Sequence, residues 1–155
     1  MANTYSQIYI HVVFAVMGRQ NLINSKHKEE LHKYITGIIN KNGQKLLEIN
    51  VMPDHTHILI GMEPTIRISD LVRDIKSNSS GFINDKKWVL GKFNWQKGFG
   101  VFSYSHSQID SVIKYINNQE THHRKKTFQE EFIEMLNKFY IKYEDKFLFE
   151  WIGAK

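Results

Sequence analysis

The chain has 155 residues, 41% of them apolar, which suits one compact domain over residues 1–155 because a split would leave both halves short of core. Its formal charge of +5 favours a polyanionic partner. The absence of cysteine excludes disulfides, thiolate zinc sites and thiol nucleophiles, so any metal must be held by nitrogen and oxygen.

Residues 5–16 alternate in a β-rich run, with Ile8, Ile10, Val12, Phe14 and Val16 on one face and Gln7, Tyr9, His11 and Val13 on the other, which predicts a first strand. Ser25 precedes residues 26–42, where Leu31, Ile35, Ile38 and Ile39 recur at helical spacing before Gly43. Residues 45–52 and 55–62 are two more strand-like runs with only Pro53 and Asp54 between them, the pattern of an antiparallel hairpin. Ser69 is positioned to cap a helix that turns Leu71, Val72, Ile75 and Phe82 inward and frays over residues 77–81. A loop rich in glycine and aromatics leads to a short strand at 101–105. Ser107 then caps a helix over about 108–123, with Ile109, Val112, Ile113 and Ile116 inward, and Thr127 caps a last helix over 128–140.

This order predicts an α+β fold: a ferredoxin-like split βαβ antiparallel sheet with helices on one face and an appended C-terminal helix. The other sheet face is then free for a site. No run reaches the roughly 18 apolar residues of a membrane span, and no leader-like segment opens the chain, so a cytoplasmic protein without a membrane partner is expected.

Two patterns carry chemistry. His55 and His57 flank Thr56 on a strand, where side chains alternate, so both imidazoles project from one face as adjacent metal ligands or as two ordinary hydrogen-bonded histidines. Tyr115 and Gln119 are four apart and share a helix face, either reaching one site together or forming a half-buried tyrosine and a solvated glutamine. The cluster His122, His123, Arg124, Lys125 and Lys126 follows, readable as DNA phosphate contacts or as a solvated helix end. Trp95, Phe99, Phe102 and Tyr104 read as core before base-stacking surface, and His11 as a neighbour of the histidine pair.

Together these segments resemble the HUH single-tyrosine transposases of small insertion sequences, the insertion sequence 200/605 type. The likeness runs through His11-Val12-Val13-Phe14, Met52-Pro53-Asp54-His55-Thr56-His57-Ile58-Leu59-Ile60 and Trp95-Gln96-Lys97-Gly98-Phe99-Gly100-Val101-Phe102-Ser103. It continues through Tyr115-Ile116-Asn117-Asn118-Gln119-Glu120-Thr121-His122-His123 to Thr127-Phe128-Gln129-Glu130-Glu131. Thr56 departs from the family's usual hydrophobic middle position, a change that a strand accommodates.

The resemblance implies a single HUH transposase domain in which His55, His57 and Gln119 bind a divalent metal, Mg²⁺ or Mn²⁺. Tyr115 attacks a phosphodiester of single-stranded DNA to form a 5′-phosphotyrosine. His123, four residues past Gln119, is the competing ligand, and the family pattern favours Gln119. The implied partners are single-stranded DNA with hairpins near element ends and a second copy of the chain, with the Tyr115 helix of one subunit serving the His pair of the other. The alternatives are a domesticated repeat-associated HUH nuclease or replication initiator and, from another class, a non-catalytic single-stranded nucleic-acid-binding module.

Overall fold

The computed structural model describes residues 3–18 and 22–150, and residues 1, 2, 19–21 and 151–155 lie outside the described residues. Strands β1 (Ile8–Ala15), β2 (Lys45–Val51), β3 (His55–Met62) and β4 (Gly100–Tyr104) form one antiparallel sheet in the order β2-β3-β1-β4. Helix α1 (Lys28–Lys41) links β1 to β2, and α2 (Ile68–Lys86) links β3 to β4. Strand β3 therefore separates the two strands that α1 joins, which is the expected split βαβ arrangement. Among the described residues no helix is long and apolar enough to cross a membrane.

One face of the sheet buries Ile10, Val12, Phe14, Ile58 and Ile60 in a cluster with Leu31, Ile35 and Ile39 of α1 and Leu71, Ile75 and Ile83 of α2. Each such side chain contributes about 1.5–3 kcal/mol through burial. The opposite face, expected to be open, is roofed. Helix α3 (Ile109–Asn117) packs Ile109, Val112 and Ile116 on Leu59, while α5 (Phe128–Lys138) sets Phe128, Phe132, Met135 and Leu136 against Val13, Ala15 and Phe102. Both surfaces are apolar strips that lose free energy when left in water, so helices settle on both faces. Any site here lies under a cover and not on an exposed sheet.

Several local expectations change. Residues 77–81 do not fray: the Ser79 and Ser80 hydroxyls donate back to Ile75 O and Ser77 O, and the Trp95 indole donates to Ser79 at 2.9 Å. Helix α2 starts at Ile68 without a side-chain cap, so Ser69 is inside it. The N-terminal cap of the turn before α1 is Asn24, and the capping box before α3 is Ser105 with Gln108, not Ser107. The helix expected over 108–123 breaks at Asn118 into α3 and a single turn, α4 (Gln119–His122). Asn50 on β2 accounts for the break's position, because its amide donates to Ile116 O at 2.8 Å and takes a carbonyl from the end of α3.

Strand β4 meets α5 through a glycine. A Cβ on Gly100 would lie 2.7 Å from Phe132 Cε1 and 2.9 Å from Cζ, inside van der Waals contact. Gly100→Ala is expected to lower stability by about 1–3 kcal/mol, the usual scale of overpacking. Urea unfolding checks this, and an unchanged midpoint would show that α5 is not pressed on the sheet.

Candidate active site

The β2–β3 turn closes with Met52 N–H donating to His55 O at 2.8 Å, which starts β3 at His55. Strand alternation then turns His55 and His57 to the same, roofed face, where both are buried. Two groups orient them. His55 Nδ1–H donates to Asp54 Oδ1 at 2.6 Å, and His57 Nδ1 lies 2.8 Å from His11 Nε2. His11 reaches across because it pairs with Leu59 while Val13 pairs with His57, two residues further along the same strands. With both Nδ1 atoms engaged, each Nε2 points into the space beneath α3, α4 and α5.

The helices bring the remaining groups. The hold of Asn50 on Ile116 O fixes the chain beside Tyr115, and the break after α3 turns Gln119 fully inward. A capping box fixes the start of α5: Thr127 Oγ1 accepts from Glu130 N–H at 3.1 Å, and Glu130 Oε1 accepts from Thr127 N–H at 2.9 Å. One residue later Glu131 enters the core at 5% exposure, on the same helix stripe as Phe128, Phe132 and Met135.

Glu131 is the centre of the cluster. Its Oε1 lies 3.2 Å from His57 Nε2, 3.1 Å from His123 Nε2 and 3.6 Å from His55 Nε2. Its Oε2 accepts hydrogen bonds from Tyr115 Oη and, at 2.9 Å, from Gln119 Nε2. Gln119 Oε1 in turn lies 3.2 Å from His55 Nε2 and 3.0 Å from His123 Nε2. Burial pushes the Glu131 carboxyl up, but His57 and the bonds from His123 and His57 outweigh it and hold the group well below the usual carboxylate range. Burial pulls His57 below its ordinary value against the opposing attraction of Glu131. Burial, reinforced by Glu131, pushes the Tyr115 phenol far above its ordinary value. The resting site therefore holds an anionic carboxylate, a neutral His57 and a protonated tyrosine.

That donor set fits a cation. With Nδ1–H committed to Asp54, a neutral His55 offers only a lone pair at Nε2, and that lone pair faces Gln119 Oε1 and Glu131 Oε1, which are also acceptors. Converging lone pairs with no proton to share are what a divalent ion resolves. The ligand atoms of His55, His57 and Glu131 all lie within 4.8 Å of one another.

The residues singled out in the sequence divide accordingly. His55, His57, Tyr115 and Gln119 come together in one chain, and His123 joins them through Gln119 and Glu131. His122 is half-exposed with its ring 4.8 Å from that of Tyr115, and Arg124, Lys125 and Lys126 are exposed on the turn before α5. Trp95 and Phe102 are core, as read from the sequence, whereas Phe99 is exposed and Tyr104 is half-buried. Sequence reasoning missed Asp54 and Glu131. Asp54 was legible as a carboxylate adjoining a ligand-type histidine at a turn. Glu131 was legible too, as a lone carboxylate on the apolar stripe of an otherwise regular amphipathic helix.

The profile of the family described as Transposase IS200 like matches residues 4–119. The chain belongs to the IS200-like transposase family. The match carries Tyr115 and Gln119 and stops before Glu131, so α5 and its carboxylate lie outside it. This transposase is also similar to the ISDra2 transposase TnpA of Deinococcus radiodurans, 25% identical over 118 residues that span 73% of this chain and 84% of that one. A crystal structure of a candidate transposase from Deinococcus radiodurans R1 superposes with a TM-score of 0.59 at 24% identity, covering 76% of this chain and 94% of that one. A REP-associated tyrosine transposase bound to a REP hairpin superposes at 0.60 with 15% identity, covering 78% and 72%. The sheet and its helices are thus those of known transposases, and this one is a DNA transposase with a buried His-His-Glu group that could bind a divalent metal.

Proposed function

We propose that this transposase cleaves and rejoins single-stranded DNA through a 5′-phosphotyrosine on Tyr115, beside Mg²⁺ or Mn²⁺ held by His55, His57 and Glu131 with Gln119 as a further oxygen donor. The observation that supports it most directly is the hydrogen bond from Tyr115 to Glu131, the carboxylate that also meets both imidazoles. Nucleophile and cation donors then share one residue. Gln119, the third ligand implied by the resemblance, has its oxygen on His55 and its amide nitrogen on Glu131.

A divalent cation bound there supplies Lewis-acid stabilisation of charge on the non-bridging phosphate oxygens. The chain's own residues account for the rest. The Tyr115 oxygen attacks phosphorus as its proton passes to Glu131 Oε2, the bond from phosphorus to the 3′-oxygen breaks, and that oxygen takes the proton from Glu131 to leave as a 3′-hydroxyl. Glu131 Oε2 is the acceptor already in contact with the phenolic proton. The phosphotyrosine ester keeps the energy of the broken linkage, so a DNA 3′-hydroxyl reverses the step without a nucleotide cofactor.

Single-stranded DNA with hairpins near element ends is the substrate of this reading, supported by family membership and by the hairpin in the REP-associated relative. His122, Arg124, Lys125 and Lys126 meet its phosphates, while His123 serves Glu131 from within. A domesticated repeat-processing nuclease would use the same chemistry, and imperfect palindromes flanking the gene distinguish a mobile copy from it. In a non-catalytic binding module, a desolvated carboxylate among three imidazoles would have no purpose.

The test is a covalent band on denaturing gels after incubation with hairpin-bearing single-stranded DNA, formed with Mn²⁺ and abolished by chelator. No band under any divalent metal would reject the reading. Homodimerisation stays within it, and the contact of Tyr115 with Glu131 of its own chain supports a site completed within one chain. Mixtures of Tyr115→Phe and His55→Ala proteins are therefore expected to remain as inactive as either alone. Recovered cleavage in the mixture would instead assign the tyrosine to the neighbouring subunit's histidines.

A further inference from the structure

A cavity of about 370 Å³ opens beside Tyr115, bounded by Tyr104, Met135 and Phe139 and edged by Lys126 and Lys138. Its size falls within the range of small-molecule sites, roughly 300–1,000 Å³. The Tyr104 and Phe139 rings stand edge to face, 5.5 Å apart at 88°. Tyr104 is half-buried, and burial pushes its phenol up to about 12, so the hydroxyl stays a donor. Among the described residues that hydroxyl has no hydrogen-bond partner within the protein, which leaves it free to meet a ligand. Lys126 is held at the mouth by Glu134 at 2.5 Å, and Lys138 makes no ion pair among the described residues.

We infer that this cavity is a subsite for one unpaired nucleobase of single-stranded DNA, the base flanking the phosphate that Tyr115 attacks. The inference rests on the reading of Tyr115 as nucleophile and adds a source of sequence choice to it. A nucleotide is an aromatic disc with a polar edge joined to an anionic link. The cavity offers aromatic and thioether walls for the disc, one unpartnered hydroxyl for the edge, and two lysines for the phosphates. Continuity with the cluster is direct, since Tyr115 and Glu131 line the cavity as well. A strand with its phosphorus at the Tyr115 oxygen has a neighbouring base at this opening. Stacking alone accepts any base, whereas the Tyr104 hydroxyl favours an edge that presents an acceptor.

The experiment uses the full chain with Mn²⁺ and a pool of hairpin-bearing single-stranded DNA randomised over the unpaired positions beside the hairpin, sequencing the strands captured as covalent adducts. Wild type is expected to show a base preference at one position next to the joined phosphate. Phe139→Leu keeps apolar bulk without the ring and is expected to lower the yield of adducts by about 5- to 150-fold, the worth of stacking one base, without changing which base is preferred. Tyr104→Phe, which removes only the hydroxyl, is expected to change which base is preferred. The preference is a ratio within one sample, so a loss of total activity in a variant does not mimic it. Adducts with equal base use in wild type, or an unchanged preference in Tyr104→Phe, would overturn the subsite and leave the nucleophile assignment standing. Failure of wild type to form any adduct would overturn both.

Discussion

Tyr115→Phe protein is expected to form no covalent adduct with hairpin-bearing single-stranded DNA in Mn²⁺, under conditions where the wild-type chain forms one. Phenylalanine keeps the ring, which packs 5.9 Å from His57 and 4.8 Å from His122, and removes only the oxygen. Losing a covalent nucleophile lowers turnover on the order of 10⁶-fold, so the adduct should vanish from the gel and not merely weaken. The fold should survive, because the structural loss is one hydrogen bond to a charged acceptor, at most about 1.5–3 kcal/mol and less for a half-exposed side chain. DNA affinity, measured by fluorescence anisotropy, should persist for the same reason. An ordinary phenol already costs about 4 kcal/mol to ionise at pH 7, and burial beside an anion raises that cost for Tyr115. The reaction therefore depends on the acceptor and cation donors gathered around it. An adduct retained by Tyr115→Phe would move the nucleophile elsewhere, with Tyr104 across the cavity as the next candidate.

Glu131→Gln is expected to remove the response to metal while leaving a folded chain. A wild-type protein held at Mn²⁺ about 100-fold above its dissociation constant gains about 2.7 kcal/mol. At about 2–4 °C per kcal/mol for a chain of this size, that is a rise in Tm of about 5–10 °C. The variant retains hydrogen-bonding atoms but lacks the anionic donor, so its melting curve should barely move with Mn²⁺. Without metal the sign follows from Glu131 itself. Its folded-state carboxyl titrates below the ordinary 4.5, so its contribution to stability is present above that pH and lost as pH falls through the folded value. The variant should be less stable than wild type at neutral pH, and the gap should narrow only in acid below about pH 4.5. Calorimetry over that range checks both parts. Equal Mn²⁺ shifts in the two proteins would exclude Glu131 as a ligand.

What the sequence determined by itself is whatever depends on a side chain's direction from its own backbone. Alternation on β3 was enough to bring His55 and His57 to one face, whereas the helical interval only set Tyr115 and Gln119 near each other and the break at Asn118 completed their meeting. The Thr127 cap of α5 and the antiparallel hairpin through Pro53 and Asp54 were equally local, because each is a bond or turn among near neighbours. Only the tertiary structure decided what covers the second sheet face. That depends on α3 and α5 finding apolar strips far away in sequence, and no local period encodes which strip an amphipathic helix will choose. Glu131 shows the consequence. It meets His57 across 74 positions, so its place at the centre of the cluster became visible only once the roof was in place.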